Sequence, residues 1–352
     1  IGTCTTYDFG HSPIREWGEI SPTKYSMARN TAQFLDSFED VLFEAEKKEG
    51  AAKFIDAGNT VALVDRKRGA LKHDFSGTFE NVKVVERAGK KGGFLMVRNL
   101  TDSTLRTQIE YLSPAEKRNK RLPLKGDLEL APRSSFLFPI DIPIGDGGMV
   151  LKQSTCELLL RKKIGNDEFV FLVGKSELKS RTCLKCGSAK PVVVEGDFRV
   201  EKARDGYIIE NDNEGLRIIK VGGVFFVFLD DKKAARVWDR QEVVAVSDYY
   251  YIEDILVDQK SIGISAQVKN GSNQRTRIFT AFAPRAIRIN NVKVKFKYDK
   301  ETMSATFDYD CAVEELPKMT WLDSPRFISD IDEKEPGYND SSWKTITLPK
   351  AL

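Results

Sequence analysis

The sequence predicts a mainly β protein made of antiparallel β-sandwich domains, with one helical segment close to its beginning. From residue 51 onward, apolar residues alternate with polar ones in many short segments, which is the period of a β-strand. Turn-forming Gly, Asn and Asp residues separate these segments at near-regular spacing, and no long helical pattern comes between them. With 352 residues, 41% of them hydrophobic, the chain is long enough to bury a sizeable core in two or three domains.

Residues 21–42 predict the helix. Ser21 is a favourable N-cap, and Pro22 suits the first helical position. Apolar residues then recur every three or four positions and define one face, formed by Tyr25, Ala28, Ala32, Leu35, Phe38 and Leu42. Such a face needs a packing partner, and nothing before it in the chain can supply one. We therefore expect this helix to pack on a protein body outside the chain.

The strand-like segments fall into two sets. The first set, between residues 45 and 190, includes strands at residues 82–86, 93–98, 107–111 and 122–130, and hairpin turns at residues 145–148 and 165–167. The second set, between residues 191 and 315, includes the strongly apolar run at residues 224–229 and a hairpin turn at Asn290-Asn291. Residues 234–238 predict a short helix or turn.

Charge and hydropathy exclude two classes of partner. Lys and Arg number 55 against 52 Asp and Glu, which gives a net charge of +3 and implies no acidic partner. The basic clusters at residues 66–68 and 116–121 are short and flanked by turn residues, whereas nucleic-acid binding needs a basic stripe interleaved with aromatic residues. No apolar run approaches the ~20 residues of a membrane span. We expect neither a nucleic-acid partner nor a membrane span.

The cysteine and histidine pattern predicts no metal site and no cofactor. Cys183 and Cys186 form one Cys-x-x-Cys motif, but a structural zinc site needs a second pair of ligands. The two histidines, His11 and His73, are far apart. A redox-active dithiol would precede a helix, whereas Gly187 follows this motif. The favoured interpretation is a turn with two cysteines that are either free or locally bridged.

Aromatic residues offer a possible sugar-binding surface. Trp238 could stack on a pyranose ring, but a Trp beside Val237 after an apolar strand is more often a core residue because it buries a large area. The triplet at residues 249–251 must place at least one Tyr ring on each face of a strand. Both an open aromatic surface and packing at a sheet edge remain compatible with it.

Motifs near the two ends of the chain resemble the family-35 glycoside hydrolases, the β-galactosidases of lysosomal, fungal and prokaryotic type. In that family a Thr-Ser-Tyr-Asp-Tyr loop follows the eighth barrel strand and leads, through an Ala-Pro-Ile-like turn, into a helix with Lys-Tyr near its start. The matching residues here are Thr5-Thr6-Tyr7-Asp8-Phe9, Ser12-Pro13-Ile14 and Lys24-Tyr25. Trp321 and the run at residues 336–344 are similar to the start of the family's jelly-roll domains.

The resemblance implies a domain order. Residues 1–44 would be the remnant loop and last helix of a (β/α)8 TIM barrel. Residues 45–190 would form an antiparallel β-sandwich, and residues 191–315 a second antiparallel β domain. Residues 316–352 would begin a jelly-roll domain, which needs about eight strands. The chain's partners would then be the rest of the barrel, the jelly-roll domains and a galactoside or related β-linked oligosaccharide.

The resemblance also implies that the catalytic residues lie elsewhere. A retaining glycosidase uses two carboxyl groups roughly 5 Å apart, and both family Glu residues would precede residue 1. Asn213-Glu214 echoes the family's acid/base motif, but its surroundings predict a hairpin turn. We therefore expect no catalytic residue in this chain and no activity of the chain alone. The residues implied to contact sugar are Tyr7, Asp8 and Phe9, and Phe9 lacks the hydroxyl of the family's Tyr.

Compartment and an alternative function follow from weaker patterns. The resemblance implies a secreted or lysosomal/vacuolar protein, in which the sequons at Asn99, Asn270 and Asn339 permit glycosylation. Charged residues make up 30% of the chain, which is typical of a thermophilic source, and the protein would be cytoplasmic if that source is a thermophilic prokaryote. The alternative function is a free-standing carbohydrate-binding or scaffold module, which would need an exposed aromatic platform among Trp238, residues 249–251 and Trp321.

Overall fold

The computed structural model describes residues 13–14, 21–48, 50–55, 82–145, 147–268, 273–310, 326–327 and 344–345. It confirms the predicted mainly β fold, with several antiparallel sheets and few helices. The helices are α1 (Pro22–Ser37), α2 (Glu39–Glu44) and α3 (Asp231–Ala234). No helix among the described residues has both the length and the apolar character that crossing a membrane requires.

Five sheets contain most of the strands. Sheet 1 contains β2 (Lys53–Ile55), β5 (Leu105–Leu112) and β6 (Asn119–Leu122), with β7 (Leu128–Leu130) also paired to β5. Sheet 2 has eight strands, in the spatial order β1 (Glu46–Lys48), β3 (Val82–Gly89), β4 (Gly92–Asn99), β8 (Ser134–Ile144), β9 (Met149–Ser154), β12 (Ser180–Lys185), β15 (Gly206–Asn211) and β14 (Arg199–Ala203).

Sheets 3, 4 and 5 contain most of the remaining strands. Sheet 3 is ordered β10 (Glu157–Ile164), β11 (Asp167–Val173), β17 (Val224–Leu229), β16 (Leu216–Val221) and β13 (Pro191–Glu195). Sheet 4 is ordered β18 (Val237–Arg240), β19 (Val243–Ser247), β22 (Asn273–Phe279), β26 (Ser304–Asp310) and β25 (Lys297–Asp299). Sheet 5 is ordered β20 (Tyr251–Asp258), β21 (Ser261–Gln267), β23 (Ala286–Ile289) and β24 (Val292–Val294), and β27 (Arg326–Phe327) pairs separately with β28 (Lys344–Thr345).

The five sheets are stacked in numerical order, with a hydrophobic core between each neighbouring pair. The core between sheets 1 and 2 contains Ile109 and Phe138, and the core between sheets 2 and 3 contains Leu151 and Phe226. Two further cores join sheet 3 to sheet 4 and sheet 4 to sheet 5. Sheets 2, 3 and 4 therefore have apolar side chains packed on both faces. This explains why β17 is apolar and buried at every position instead of alternating.

At Asp141, the inward-facing side chains of β8 change from one hydrophobic core to the next. A regular strand points alternate residues to one face. In β8, however, the even-numbered residues before Asp141 lie in the core between sheets 1 and 2, and those after it lie between sheets 2 and 3. Asp141 has a φ of 53°, which breaks the alternation. Its buried carboxylate accepts a hydrogen bond from the Ser113 hydroxyl and forms an ion pair with Lys152. One strand thereby serves two cores.

Most predicted strands and hairpins are confirmed. The turns between β8 and β9, β10 and β11, and β23 and β24 each join antiparallel neighbours. In the last of these, Asn290 and Asn291 both adopt positive φ, as a two-residue hairpin loop requires. Two strand pairs among the described residues are parallel, β11 with β17 and β21 with β23, which the prediction of purely antiparallel sandwiches did not include.

Two local predictions are wrong. Residues 122–130 were expected to form one strand, but they contribute to β6 and β7 with a turn between them. Pro123 has no N–H for a strand ladder, and Gly126 has a φ of 71° that ends the extended conformation. The connection from β15 to β16 was expected to be a hairpin, but it crosses from sheet 2 to sheet 3. There Asn213 donates hydrogen bonds to the carbonyls of Lys175 and Leu178, so the turn ties the two layers together.

The expected domain limits remain predictions. Both sheet 2 and sheet 3 take strands from either side of residue 190, so no break between sheets occurs at that position. Of the residues expected to begin a jelly roll, the structure describes β27 and β28, while Trp321 and residues 336–343 lie outside the described residues.

Candidate interface along the first helix

The residues predicted to contact sugar, Tyr7, Asp8 and Phe9, lie outside the described residues. The candidate site that the structure does describe is the surface around α1. Ser21 precedes this helix in an extended conformation and its carbonyl accepts the Tyr25 N–H at 2.8 Å, although its side chain makes no capping hydrogen bond. Pro22 is the first helical residue, so the predicted start of the helix is confirmed.

Helix α1 lies across the edges of several stacked sheets. Sixteen residues give a length of about 24 Å, comparable to two or three intersheet spacings of about 10 Å. Near its start, Tyr25 packs edge-on against Tyr251 of sheet 5, with ring centroids 5.4 Å apart. Near its end, Phe34 packs edge-on against Phe94 of sheet 2 at 5.3 Å. The helix therefore fastens the far layers of the stack to one another.

Between these aromatic ends α1 makes polar contacts with the end of α3 and with Trp238. The Arg29 guanidinium lies 3.7 Å from the centre of the Trp238 ring and donates to the Ala235 carbonyl at 2.7 Å. The Asn30 amide donates to the Ala234 carbonyl at 3.1 Å. These carbonyls belong to the end of α3, where main-chain acceptors lack partners within their own helix. Arg29 and Asn30 of α1 thus match the acceptors that the end of α3 presents.

The Arg29 guanidinium is partly removed from water by its contact with Trp238. Desolvation lowers the pKa of its guanidinium to about 10, and the nearby cations Arg236 and Arg240 act in the same direction. Arg29 still carries its charge at neutral pH. The π face of Trp238 partly replaces the lost hydration, an interaction that contributes roughly 0.5–2 kcal/mol depending on desolvation.

Three large apolar side chains of the helical segment are exposed to solvent. Met27 is 64% exposed, Leu35 is 51% exposed and Phe43 on α2 is 90% exposed. We call these three residues the outward face. Helix α1 thus directs Arg29 and Asn30 toward its own sheets, while two of its large apolar side chains lie in solvent. The outward face is therefore a candidate contact surface for another protein body.

This arrangement corrects the expected apolar face in part. Tyr25 and Phe38 do find partners within the chain, and Phe38 is fully buried between sheets 2 and 3. Ala32 and Leu35 are exposed. The helix is also shorter than expected, because it is interrupted at Phe38 before α2 begins. The physical reason is that α1 turns the side that carries Arg29 and Asn30 toward the sheets, because carbonyl groups at the end of α3 accept hydrogen bonds from these two side chains.

The described aromatic candidates do not form an exposed platform. Trp238 is 1% exposed and packs against Tyr251, so its interpretation as a core residue is confirmed. Tyr249 is fully buried, and Tyr250 is 36% exposed. Trp321 lies outside the described residues. Within the part of the chain that the structure describes, a flat aromatic surface for a sugar ring is therefore missing.

The Cys-x-x-Cys motif holds two free thiols. Cys183 lies on β12 and Cys186 directly after it, and both are buried. Burial raises the pKa of the Cys183 thiol to about 11, and it also raises the pKa of Cys186. The Cys186 thiol donates to the Ala189 carbonyl at 3.2 Å. Of the two alternatives, free and bridged, the structure has the free form, and raised pKa values oppose redox chemistry.

These thiols should resist alkylation while the protein is folded. At pH 8 a thiol with a pKa near 11 is about one-thousandth thiolate, and burial blocks access as well. Cys156 is a further free and fully buried thiol, whose pKa burial also raises to about 11. We expect iodoacetamide to leave Cys156 and Cys183 unlabelled in native buffer and to label both in denaturant, as read by peptide mass spectrometry. Rapid native labelling of Cys183 would contradict its placement in β12.

One family comparison gives a match, and it covers about half of the chain. Residues 63–237 match the family model described as β-galactosidase, domain 2. This range contains most of sheets 2 and 3, the connection at Asn213, and α3, whose carbonyls anchor α1. No curated protein matches the chain by sequence.

Proposed function

We propose, from the premise that residues 63–237 are a β-galactosidase-type domain, that this chain is the non-catalytic β portion of a larger glycoside hydrolase. The observation that carries the proposal is the family match across the central sheets. A domain numbered second in such an enzyme works beside other domains. The whole protein would then remove terminal galactose from β-galactosides.

The more specific assignment is to family 35, with a retaining mechanism. It is supported by the Tyr7-Asp8-Phe9 loop, the turn at Pro13 and the Lys24-Tyr25 pair, which resemble the end of that family's catalytic barrel. In this scheme the two catalytic Glu residues lie on the barrel, roughly 5 Å apart, and the chain alone is inactive. Phe9 in place of Tyr removes one hydroxyl at the sugar pocket, so another β-linked sugar is a natural competitor for galactose.

We assign the outward face of α1 and α2 to the contact with that barrel. Met27, Leu35 and Phe43 expose large apolar area, and Arg29 and Asn30 of the same segment are already engaged with the end of α3. Covering this face would bury it as the interface between two domains of one chain. The three-dimensional arrangement of residues 1–44 as the end of a barrel is part of this proposal.

The first test isolates the native protein and measures its intact mass and its hydrolysis of nitrophenyl β-galactoside and β-glucoside. We expect a polypeptide substantially heavier than 39.7 kDa that cleaves the galactoside, while the 352-residue chain alone is inactive. Hydrolysis by the 352-residue chain, or a native mass of 39.7 kDa with no associated catalytic subunit, would contradict the proposal.

A second test probes the interface. The double substitution Met27→Glu and Leu35→Glu should change the melting temperature of the 352-residue chain little, because exposed positions usually contribute within about 0.5 kcal/mol. In the barrel-containing polypeptide the same pair should lower the melting temperature by several degrees, because it buries two charges. Leu256→Glu, at a position 57% exposed on β20, is the matched control and should have no effect in either protein.

The alternative function, a free-standing carbohydrate-binding or scaffold module, has weaker support. Its aromatic platform would need Trp238, which is buried, and it would leave the outward face uncovered. Binding of galactan by the isolated chain, with the outward face substituted as above and affinity unchanged, would favour this alternative.

A further inference from the structure

A cavity of about 230 Å³ lies between sheets 3 and 4, beside α3. Leu216 and Val246 connect it to the hydrophobic core between these two sheets. Among the described residues that line it, three carry positive charge and one carries negative charge, and these are Lys233, Arg275, Arg277 and Glu195. A cleft lined mainly by one sign of charge concentrates ions of the opposite sign. The cavity therefore suits an anionic ligand.

Regular strand alternation brings two of the cations together. Arg275 and Arg277 are two positions apart on β22, so their side chains leave one face of sheet 4 about 7 Å apart. That face is turned toward sheet 3, because Phe279 on the same strand belongs to the core between sheets 3 and 4. Val246, directly opposite Arg277 on β19, belongs to the same core. Both guanidiniums thus lie where this apolar core gives way to the cavity.

An irregularity in β13 directs Glu195 into the same cavity. The register of this strand shifts as in a β-bulge, so that Val193 lies opposite Ile219, whereas Glu195 lies opposite Ile218. Ile219 faces sheet 2 and Ile218 faces sheet 4. In a regular strand Glu195 would share the face of Val193. Its carboxylate instead forms an ion pair with the Arg277 guanidinium, at 2.7 Å across the gap between the sheets, which holds Arg277 in the cavity wall.

The other cations have carboxylate neighbours but keep donors for a ligand. Lys233 forms an ion pair with Asp248 at 3.0 Å, and Asp308 lies opposite Arg275 on β26. Both carboxylates are outside the set of residues that line the cavity. A lysine ammonium has three N–H donors and an arginine guanidinium has five, which is more than one such neighbour accepts. The near balance of charge over the whole chain conceals this local excess of cations.

We propose that this cavity binds one acidic sugar residue, whose carboxylate or sulfate group accepts hydrogen bonds from Arg275 and Arg277. The planar fork of a guanidinium matches two oxygens of such a group. Glu195 can accept hydrogen bonds from sugar hydroxyls, and Leu216 and Val246 offer apolar contact to the ring. The volume is below the about 300 Å³ at which pockets for drug-sized ligands begin, so it suits a single ring. The choice of a sugar rests on the proposed function, whereas the anion site rests on the cavity itself.

Isothermal titration calorimetry on the 352-residue chain tests the proposal with four probes, which are galacturonate, galactose 6-sulfate, galactose and inorganic sulfate. We expect saturable binding of at least one acidic sugar, about tenfold tighter than binding of galactose or inorganic sulfate. The two acidic sugars distinguish a carboxylate site from a sulfate site. Added NaCl should weaken the binding, because salt screens the charges. Hydrolysis is not measured, so the result is independent of whether the intact protein cleaves galactosides.

Arg275→Gln removes one guanidinium at an exposed position, so the melting temperature should be kept while affinity for the acidic sugar falls about tenfold. Arg288→Gln, at an exposed position on β23 of sheet 5, is the matched control and should bind like the unchanged chain. Four results would overturn the proposal. They are no binding of either acidic sugar, equal binding of galactose, equal binding of inorganic sulfate, which would indicate an adventitious ion only, and unchanged affinity in Arg275→Gln.

Discussion

Replacing Trp238 by Ala is expected to lower the free energy of unfolding by about 4 kcal/mol, because Trp-to-Ala changes in a core remove both buried area and packing. Trp238 is 1% exposed between sheets 4 and 5, and its ring also supports the buried guanidinium of Arg29. The loss should therefore exceed that of an ordinary core aromatic and should also free α1. Urea denaturation followed by circular dichroism measures the first effect, and hydrogen exchange of α1 the second.

Tyr250→Ala is the control for this substitution. Tyr250 is an aromatic residue in the same region but is 36% exposed, so we expect its removal to cost well under 1 kcal/mol. If Trp238→Ala were no more destabilising than Tyr250→Ala, the placement of Trp238 in the core would be wrong. The indole would then be available for a sugar ring, and the carbohydrate-binding alternative would regain its main requirement.

Asn99 is the second position at which we expect a large effect. Its side chain is fully buried, and the two hydrogens of its amide nitrogen are shared among three carbonyl oxygens, those of Ser103 at 2.8 Å and of Leu130 and Ala131 at 3.0 Å. Its amide oxygen accepts from the N–H and the hydroxyl of Thr101. Asn99→Ala leaves these groups unsatisfied, and we expect a loss of about 3 kcal/mol in the free energy of unfolding.

The isosteric variant Asn99→Asp sharpens this prediction. It replaces the donating amide by an oxygen that faces three carbonyl oxygens, so it should destabilise the protein at least as much as Asn99→Ala. Asn119→Ala is the control, since Asn119 is exposed and makes one long hydrogen bond to Glu110 at 3.4 Å. Equal stability of the Asn99 and Asn119 variants in urea denaturation would contradict the described network.

The same geometry bears on glycosylation. Asn99-Leu100-Thr101 is a sequon, but the amide nitrogen that a glycan would occupy is buried and fully engaged in the folded protein. We expect peptide mass spectrometry of a secreted preparation to find Asn99 unmodified. The sequons at Asn270 and Asn339 lie outside the described residues.

The sequence predicted the strands well because period-two patterns and turn residues are local signals. The Asn290-Asn291 hairpin and the apolar run of β17 illustrate this. It could not show which sheets the strands would join, since pairings such as β11 with β17 connect residues more than 50 positions apart. The buried side of α1 was also unpredictable, because polar residues there are matched to carbonyls of α3 that come 200 positions later.

Polar residues of the predicted helix mark the side that is buried in the structure. Arg29, Asn30 and Gln33 lie on one side of the predicted helix at spacings of one, three and four residues. A polar side of this kind is usually assigned to solvent, so the apolar side was expected to be the buried one. Leu35 belonged to the side that was expected to be buried, and it is instead 51% exposed.

The layered stacking also constrains how the molecule can come apart. Sheets 2, 3 and 4 share each of their faces with a neighbour, and sheets 2 and 3 interleave strands from both sides of residue 190. Cleaving the polypeptide at residue 190 would remove partner strands from each half and expose large apolar surfaces. We therefore expect that neither half can be prepared as a separate soluble protein. We accordingly expect a single cooperative melting transition, in which all five sheets unfold together.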